Sequence, residues 1–146
     1  MTPGKFTATL KPLQMQAKSA WWLLPLVGLL NRIRRAHPAF QHLDNVTFLE
    51  TESEYLIAYA KTTDTEVFVV AVNLDPLVPR DGLAILPAEL RLPPTFPVRD
   101  LLVDVEYLWA PGRNYVRLAP GGAHVMQVLA ERLPPVVETA AEEEQP

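Results

Sequence analysis

Glu66–Pro76 reads EVFVVAVNLDP, and the middle of that stretch decides the fold. Val67 to Val72 is an unbroken apolar run, mostly β-branched, that stops at the polar Asn73. So short a run is too brief for a stable helix and fits a strand buried on both faces. A strand of that kind has to occupy the middle of a packed sheet and not its edge. Upstream, Tyr55–Lys61 (YLIAYAK) is a second β-rich run, separated from the first by Thr62-Thr63-Asp64-Thr65. A four-residue polar loop suits a hairpin built on a type I turn. The core therefore starts as an antiparallel pair that needs further strands.

Those strands are expected at near-regular spacing on both sides. Beyond the first pair they fall at Val46–Glu50, Leu83–Leu86, Val98–Leu102, Val105–Trp109, Tyr115–Leu118 and His124–Leu129. Pro87–Leu92 reads as a single helical turn before Pro93-Pro94. Ala110-Pro111-Gly112-Arg113-Asn114 reads as a five-residue hairpin loop joining two of these strands. Eight short strands with turn signals between them predict a mainly β fold, an antiparallel β-sandwich with Greek-key connections over residues 45–130.

The flanks read differently. Residues 1–18 are rich in Thr, Lys and Gln without a sustained period, the pattern of a poorly ordered leader. A helix is expected over residues 19–37, with Ser19 as N-cap or with Pro25 as its true first position. Trp22, Leu26, Leu29, Leu30 and Ile33 share one face, and Arg32, Arg34 and Arg35 crowd the last turns, where they complement the helix dipole. Pro38 disfavours helical backbone at His37. After Pro134 the chain turns acidic and alanine-rich, which predicts a solvated, disordered tail over 134–146.

Composition narrows the function. The chain has 146 residues, 49% of them hydrophobic, enough for one domain with a real core. Its 15 prolines lie mostly between apolar runs, where they punctuate strands and loops. There is no cysteine, which removes disulfides and thiolate chemistry and fits a reducing compartment such as the cytoplasm. Net charge is −4, yet the tail from Pro134 holds four glutamates and no basic residue, and without it 13 acidic face 13 basic side chains. A neutral body has no electrostatic footprint for nucleic acid. Ala20–Leu30 (AWWLLPLVGLL) is the one membrane-like passage, but its 11 residues are about half of the ~20 a spanning helix needs, and Pro25 and Gly28 interrupt it. No signal peptide is recognisable, because the basic NRIRR follows where a small-residue cleavage site belongs.

The candidate chemistry is sparse. Asp100, Asp104 and Glu106 cluster, but strand ends and turns commonly carry such residues, and a carboxylate pair for glycoside chemistry must converge on a pocket. Asp75 before Pro76 is suited to an Asx turn. His37, His42 and His124 lack metal-ligand spacing, so neither a metal nor a cofactor is expected. No serine or threonine sits in a nucleophile elbow, and Gly121-Gly122 is too little for a phosphate loop. Tyr107 and Trp109 fall on one face by the two-residue period, and Tyr115 opens the next strand. Such an aromatic cluster serves as sandwich core, as a surface pressed on a neighbouring domain, or as a stacking platform for sugar rings; core or interface is the commoner use. Trp21, Trp22, Leu23 and Leu24 are consecutive and cannot all face one core, so this apolar surface calls for a partner outside the chain or a second copy of it.

Several passages resemble a known family. LLNRIRRAHPAFQ (Leu29–Gln41) is similar to the close of the last barrel helix in α-amylase-superfamily enzymes. VVAVNLDP (Val69–Pro76), VRDLLVDVEYLWAPGRNYVRLAP (Val98–Pro120) and AHVMQV (Ala123–Val128), in that order, resemble the C-terminal β-domain of bacterial α-1,4-glucan:maltose-1-phosphate maltosyltransferases. The resemblance implies a family that transfers maltosyl units to α-1,4-glucan ends with retention, through a covalent glycosyl intermediate. It also implies that the catalytic carboxylates belong to a (β/α)₈ barrel whose signature segments are absent from this sequence. No catalytic residue carries over, and the chain alone is expected to be inactive.

Three functions then compete. The first is a non-catalytic accessory domain that meets the catalytic barrel of its parent enzyme through Trp22, Leu26, Leu30 and Ile33. The second is a free-standing carbohydrate-binding or protein-interaction β-domain that contacts α-glucan through Tyr107, Trp109 and Tyr115. The third is a small protein anchored on a membrane surface by its helix, and a catalytic chain comes last because the sequence lacks the carboxylates.

Overall fold

The computed structural model of the protein describes residues 24–137. Ser19, Trp21, Trp22, the leader over 1–18 and the tail past residue 137 lie outside the described residues. The chain divides between His42 and Leu43 into two units.

In the first unit, helical backbone covers residues 24–36 and includes Pro25. It ends where Pro38 requires: His37 is extended, at φ −124 and ψ 114, and a 3-10 turn over Pro38–Gln41 follows. Gln41 folds back so that its Nε2 donates to the carbonyls of Arg34 and Arg35, both at 3.2 Å. Two of the carbonyls orphaned at the helix end are thereby satisfied. Leu24, Leu26, Val27 and Leu30 are exposed, whereas Ile33 and Ala39 are buried.

The second unit is the β-sandwich. Its strands are β1 (Val46–Leu49), β2 (Leu56–Thr62), β3 (Val67–Asn73), β4 (Arg80–Leu86), β5 (Phe96–Asp100), β6 (Val105–Trp109), β7 (Gly112–Leu118) and β8 (Ala123–Val128). Six form one antiparallel sheet in the order β1-β2-β3-β8-β5-β6, and β4 and β7 pair as the second. Past β1 the chain runs on to the second sheet, where Glu52 N donates to Leu83 O and Ile85 N to Glu50 O, both at 2.9 Å.

β3 lies between β2 and β8, as its unbroken apolar run requires. Val67, Val69 and Ala71 face the space between the sheets, and Phe68 and Val70 are buried on the opposite face. The inter-sheet core continues through Ala58 and Ala60 of β2, Phe96 and Val98 of β5, Met126 and Val128 of β8, and Leu86, Val116 and Leu118 of the second sheet. In register, Ala60 of β2 sits opposite Val69 and Ala58 opposite Ala71, so small side chains line this part of the core.

One expectation fails. β6 and β7 do not form a hairpin across Ala110–Asn114; β6 pairs with β5, β7 pairs with β4, and the chain changes sheets at Ala110-Pro111. The turn residues are used, but for a corner. Asn114 donates from Nδ2 to Ala110 O at 2.7 Å and accepts from Ala110 N at 3.2 Å, while Gly112 supplies φ +87. β7 then pairs with β4 along all seven of its residues, a longer ladder than the five of β6 could supply.

The loops at one end of the sandwich are tied by Asn73, which is buried at the end of β3. Its Nδ2 donates to Val78 O and Ala119 O, both at 3.0 Å, and its Oδ1 accepts from Asp75 N at 2.9 Å. Asp75 makes the expected Asx turn, accepting Leu77 N at 2.9 Å, and its other oxygen holds Arg80 at 2.7 Å. The β7–β8 connection is a Pro-Gly turn in which Gly121 takes φ +61 and Gly122 N donates to Ala119 O at 2.8 Å. Asn73→Ala removes the amide that ties two connections together and leaves their carbonyls without this donor. We expect a loss of about 2 kcal/mol, read as a lower urea midpoint with unchanged slope.

At the far end, Arg132 straps the C-terminal segment down. Its guanidinium donates to Thr63 O at 2.9 Å and Leu90 O at 3.1 Å, and Leu133 N donates to Arg91 O at 2.6 Å.

Candidate functional site: an aromatic cleft between the sheets

β6 is the last strand of the large sheet, and the two-stranded sheet leaves part of its inner face open. A cleft of about 180 Å³ opens there, lined by Tyr107, Trp109, Tyr115, Val116, Arg117, His124 and Met126. The three aromatic residues singled out from sequence therefore meet at one place, although from two sheets and not from one hairpin.

Their environments differ. Tyr107 shares its face with Trp109, in register with Val98 and Phe96 of β5. Trp109 is 7% exposed and belongs to the core, so it presents only an edge to the cleft. Tyr107 is 43% and Tyr115 58% exposed, and these two supply the open aromatic surface. The Tyr115 hydroxyl donates to Asp81 Oδ2 at 2.8 Å. That hydrogen bond, with some burial, raises the phenol above its ordinary value, so it stays protonated.

Beneath the cleft lies a pair that the sequence did not disclose. Asp100 ends β5 with a fully buried carboxylate, and His124 is the second residue of β8; their Oδ2 and Nδ1 atoms are 2.5 Å apart. Asp100 Oδ1 accepts from the backbone N–H groups of Leu102 at 3.0 Å and Val125 at 3.3 Å. Burial alone would push this carboxyl up, but the His124 bond and the two backbone donors outweigh it and hold it below the usual carboxylate value. The imidazole is held from both sides, with Nδ1 against the Asp100 carboxylate and Nε2 3.3 Å from Arg117 O. His124 in turn abuts Tyr107, with ring centroids 6.4 Å apart. Only the pairing of β5 with β8 brings these residues together, and no local motif announces it.

The two acidic residues that cluster with Asp100 in the sequence pair with an arginine. Glu106 and Asp104 both reach Arg99, at 2.6 and 3.5 Å, and Asp104 takes φ +56 in the β5–β6 turn. No two carboxylates face each other across the cleft, as glycoside chemistry would need. Among the described residues no cluster of three or more His, Asp or Glu side chains could hold a metal ion. No helix among them is long and apolar enough to cross a membrane. Of the residues expected to meet a partner, Leu26 and Leu30 are exposed, Ile33 is buried, and Trp22 lies outside the described residues.

Residues 48–128, which take in nearly all of the eight strands, match the model of a family described as GLGE, C-terminal. The chain belongs to that family. Relatives include the alpha-1,4-glucan:maltose-1-phosphate maltosyltransferase of Salinibacter ruber, 37% identical over 110 residues, covering 73% of this chain and 17% of that protein. Enzyme 2 of the same name from Streptomyces coelicolor is 39% identical over 117 residues, 77% of this chain and 17% of that protein. The Corynebacterium pseudotuberculosis maltosyltransferase is 35% identical over 145 residues, 94% of this chain and 20% of that protein. The chain thus spans 17–20% of the length of these relatives. What it shares with the maltosyltransferases is a C-terminal domain and not the whole enzyme. The passages that resembled this family, within Val69–Val128, fall inside the matched region.

Proposed function

We propose that the protein serves as the non-catalytic C-terminal domain of an α-amylase-superfamily glucan maltosyltransferase. The observation that carries this reading is the match of the sandwich to the GLGE C-terminal family. The full enzyme would move a maltosyl unit from maltose 1-phosphate to the end of an α-1,4-glucan and release inorganic phosphate. This domain would meet the catalytic barrel through exposed apolar residues of the helix, Leu26 and Leu30 among them. The pairing of Asp104 and Glu106 with Arg99 supports a role without chemistry of its own. The lack of cysteine agrees with a cytoplasmic setting.

A fusion tests the proposal. The chain replaces the corresponding C-terminal segment of the Salinibacter ruber enzyme, and phosphate release is followed with maltose 1-phosphate and a maltooligosaccharide acceptor. The fusion is expected to restore transfer that the segment-deleted enzyme lacks, while the 146-residue chain alone releases no phosphate. Equal transfer by the deleted enzyme, or turnover by the chain alone, would sink the reading.

A further inference from the structure

The cleft between β6, β7 and β8 combines exposed aromatic faces with hydrogen-bonding groups that are already held in place. Tyr107 is braced by His124, His124 is oriented by Asp100, and the Tyr115 hydroxyl is fixed by Asp81. A ligand entering here meets side chains whose rotamers need little further ordering, which lowers the entropic cost of binding. Trp109, Val116 and Met126 give the floor an apolar character, and Arg117, His124 and the Tyr115 hydroxyl give the rim its polar atoms.

Charge and size limit the ligand. Asp81 sits beside the Arg117 rim and Asp100 lies behind His124, so the basic groups are offset by carboxylates and an anion gains little. A neutral ring with apolar C–H faces and hydroxyls around its edge suits two tyrosine faces flanked by donors. About 180 Å³ is below the ~300 Å³ at which small-molecule pockets usually begin, so one ring enters and the rest of any chain stays outside.

From this we infer that the cleft is a surface subsite for one pyranose ring of an α-1,4-linked glucan, with Tyr107 and Tyr115 as its contact faces and the Arg117 guanidinium as its hydrogen-bonding group. The glucan assignment rests on the accessory-domain reading above. A subsite here would hold the growing chain near the enzyme between transfers and leave the reaction itself to the barrel.

The test is titration of the 146-residue chain with maltotriose, followed by ligand-detected NMR and calorimetry. Saturable binding is expected, weakened about fivefold in Tyr107→Ala and in Tyr115→Ala. Leu108→Ala, an exposed position on the opposite face of β6, should bind as the parent does. Near-UV circular dichroism establishes that each variant is folded. Should Tyr107→Ala fail to fold, Tyr115→Ala decides, because its ring is the more exposed. No saturable binding by the folded parent, or unchanged affinity in the folded tyrosine variants, overturns the subsite. Equal binding of cellotriose overturns its α-1,4 assignment. The two readings fail separately: an active fusion whose domain ignores maltotriose removes only the subsite, and an inactive fusion that still binds maltotriose removes only the accessory role.

Discussion

Alanine at Asp100 is expected to cost about 3–5 kcal/mol, because removing one member of a buried hydrogen-bonded pair leaves the other without its partner. The loss has three parts. His124 Nδ1 loses its acceptor, and the N–H groups of Leu102 and Val125 lose theirs at the point where β5 turns towards β6. Urea unfolding followed by near-UV circular dichroism measures the cost, and a loss below about 1 kcal/mol would mean that water replaces the carboxylate without strain. The pH dependence has a definite sign. Because the folded pKa of Asp100 lies below its unfolded value near ~3.9, the group stabilises the fold above that value. The contribution is lost as pH falls through the folded pKa. Asp100→Asn, which keeps the shape without the charge, should flatten the acid limb of the stability profile. An unchanged acid limb would assign that dependence to other carboxylates.

Phe96→Ala is expected to be as damaging, by about 3–5 kcal/mol, through a cavity that rigid strands cannot close. The ring is fully buried in the inter-sheet core, opposite Trp109 in the β5–β6 register. Phe96→Leu keeps most of the volume and should cost less than about 1.5 kcal/mol. The contrast between the two tests the cavity: if leucine is as harmful as alanine, the shape of the ring and not its volume is what the site requires. Differential scanning calorimetry reads both.

What the sequence disclosed follows from what periodicity can report. β3 and β6 have the boundaries expected, Val67–Asn73 and Val105–Trp109; the apolar run of β3 marks its burial directly, whereas β6 buries only Trp109. β4 and β7 begin three residues earlier than expected, at Arg80-Asp81-Gly82 and Gly112-Arg113-Asn114. Those polar segments are strand because their backbones pair with the facing strand, and backbone pairing leaves no mark in side-chain hydropathy. β5 starts at Phe96 and not at Val98, since Pro97 reads as a breaker; within the sheet it lacks only a donor, and its carbonyl still accepts Leu129 N at 2.9 Å. The corner at Ala110-Pro111 was misread because a turn signal says that the chain reverses and not which strand it pairs with next. For the cleft, alternation was enough to group Tyr107 with Trp109. The His124–Asp100 pair could not be seen, for it exists only once β8 lies beside β5.

The place of β8, inserted between β3 and β5, bears on how the chain is made. During synthesis from the N-terminus, β1-β2-β3 and β5-β6 emerge as two separate fragments, each with an apolar edge that has no neighbour. The last of the described strands, β8, joins them. Such long-range closure folds slowly, and until it occurs the edge of β3 is open to strands of other chains. A chain truncated before Ala123 therefore leaves an open half-sheet and not a smaller working domain.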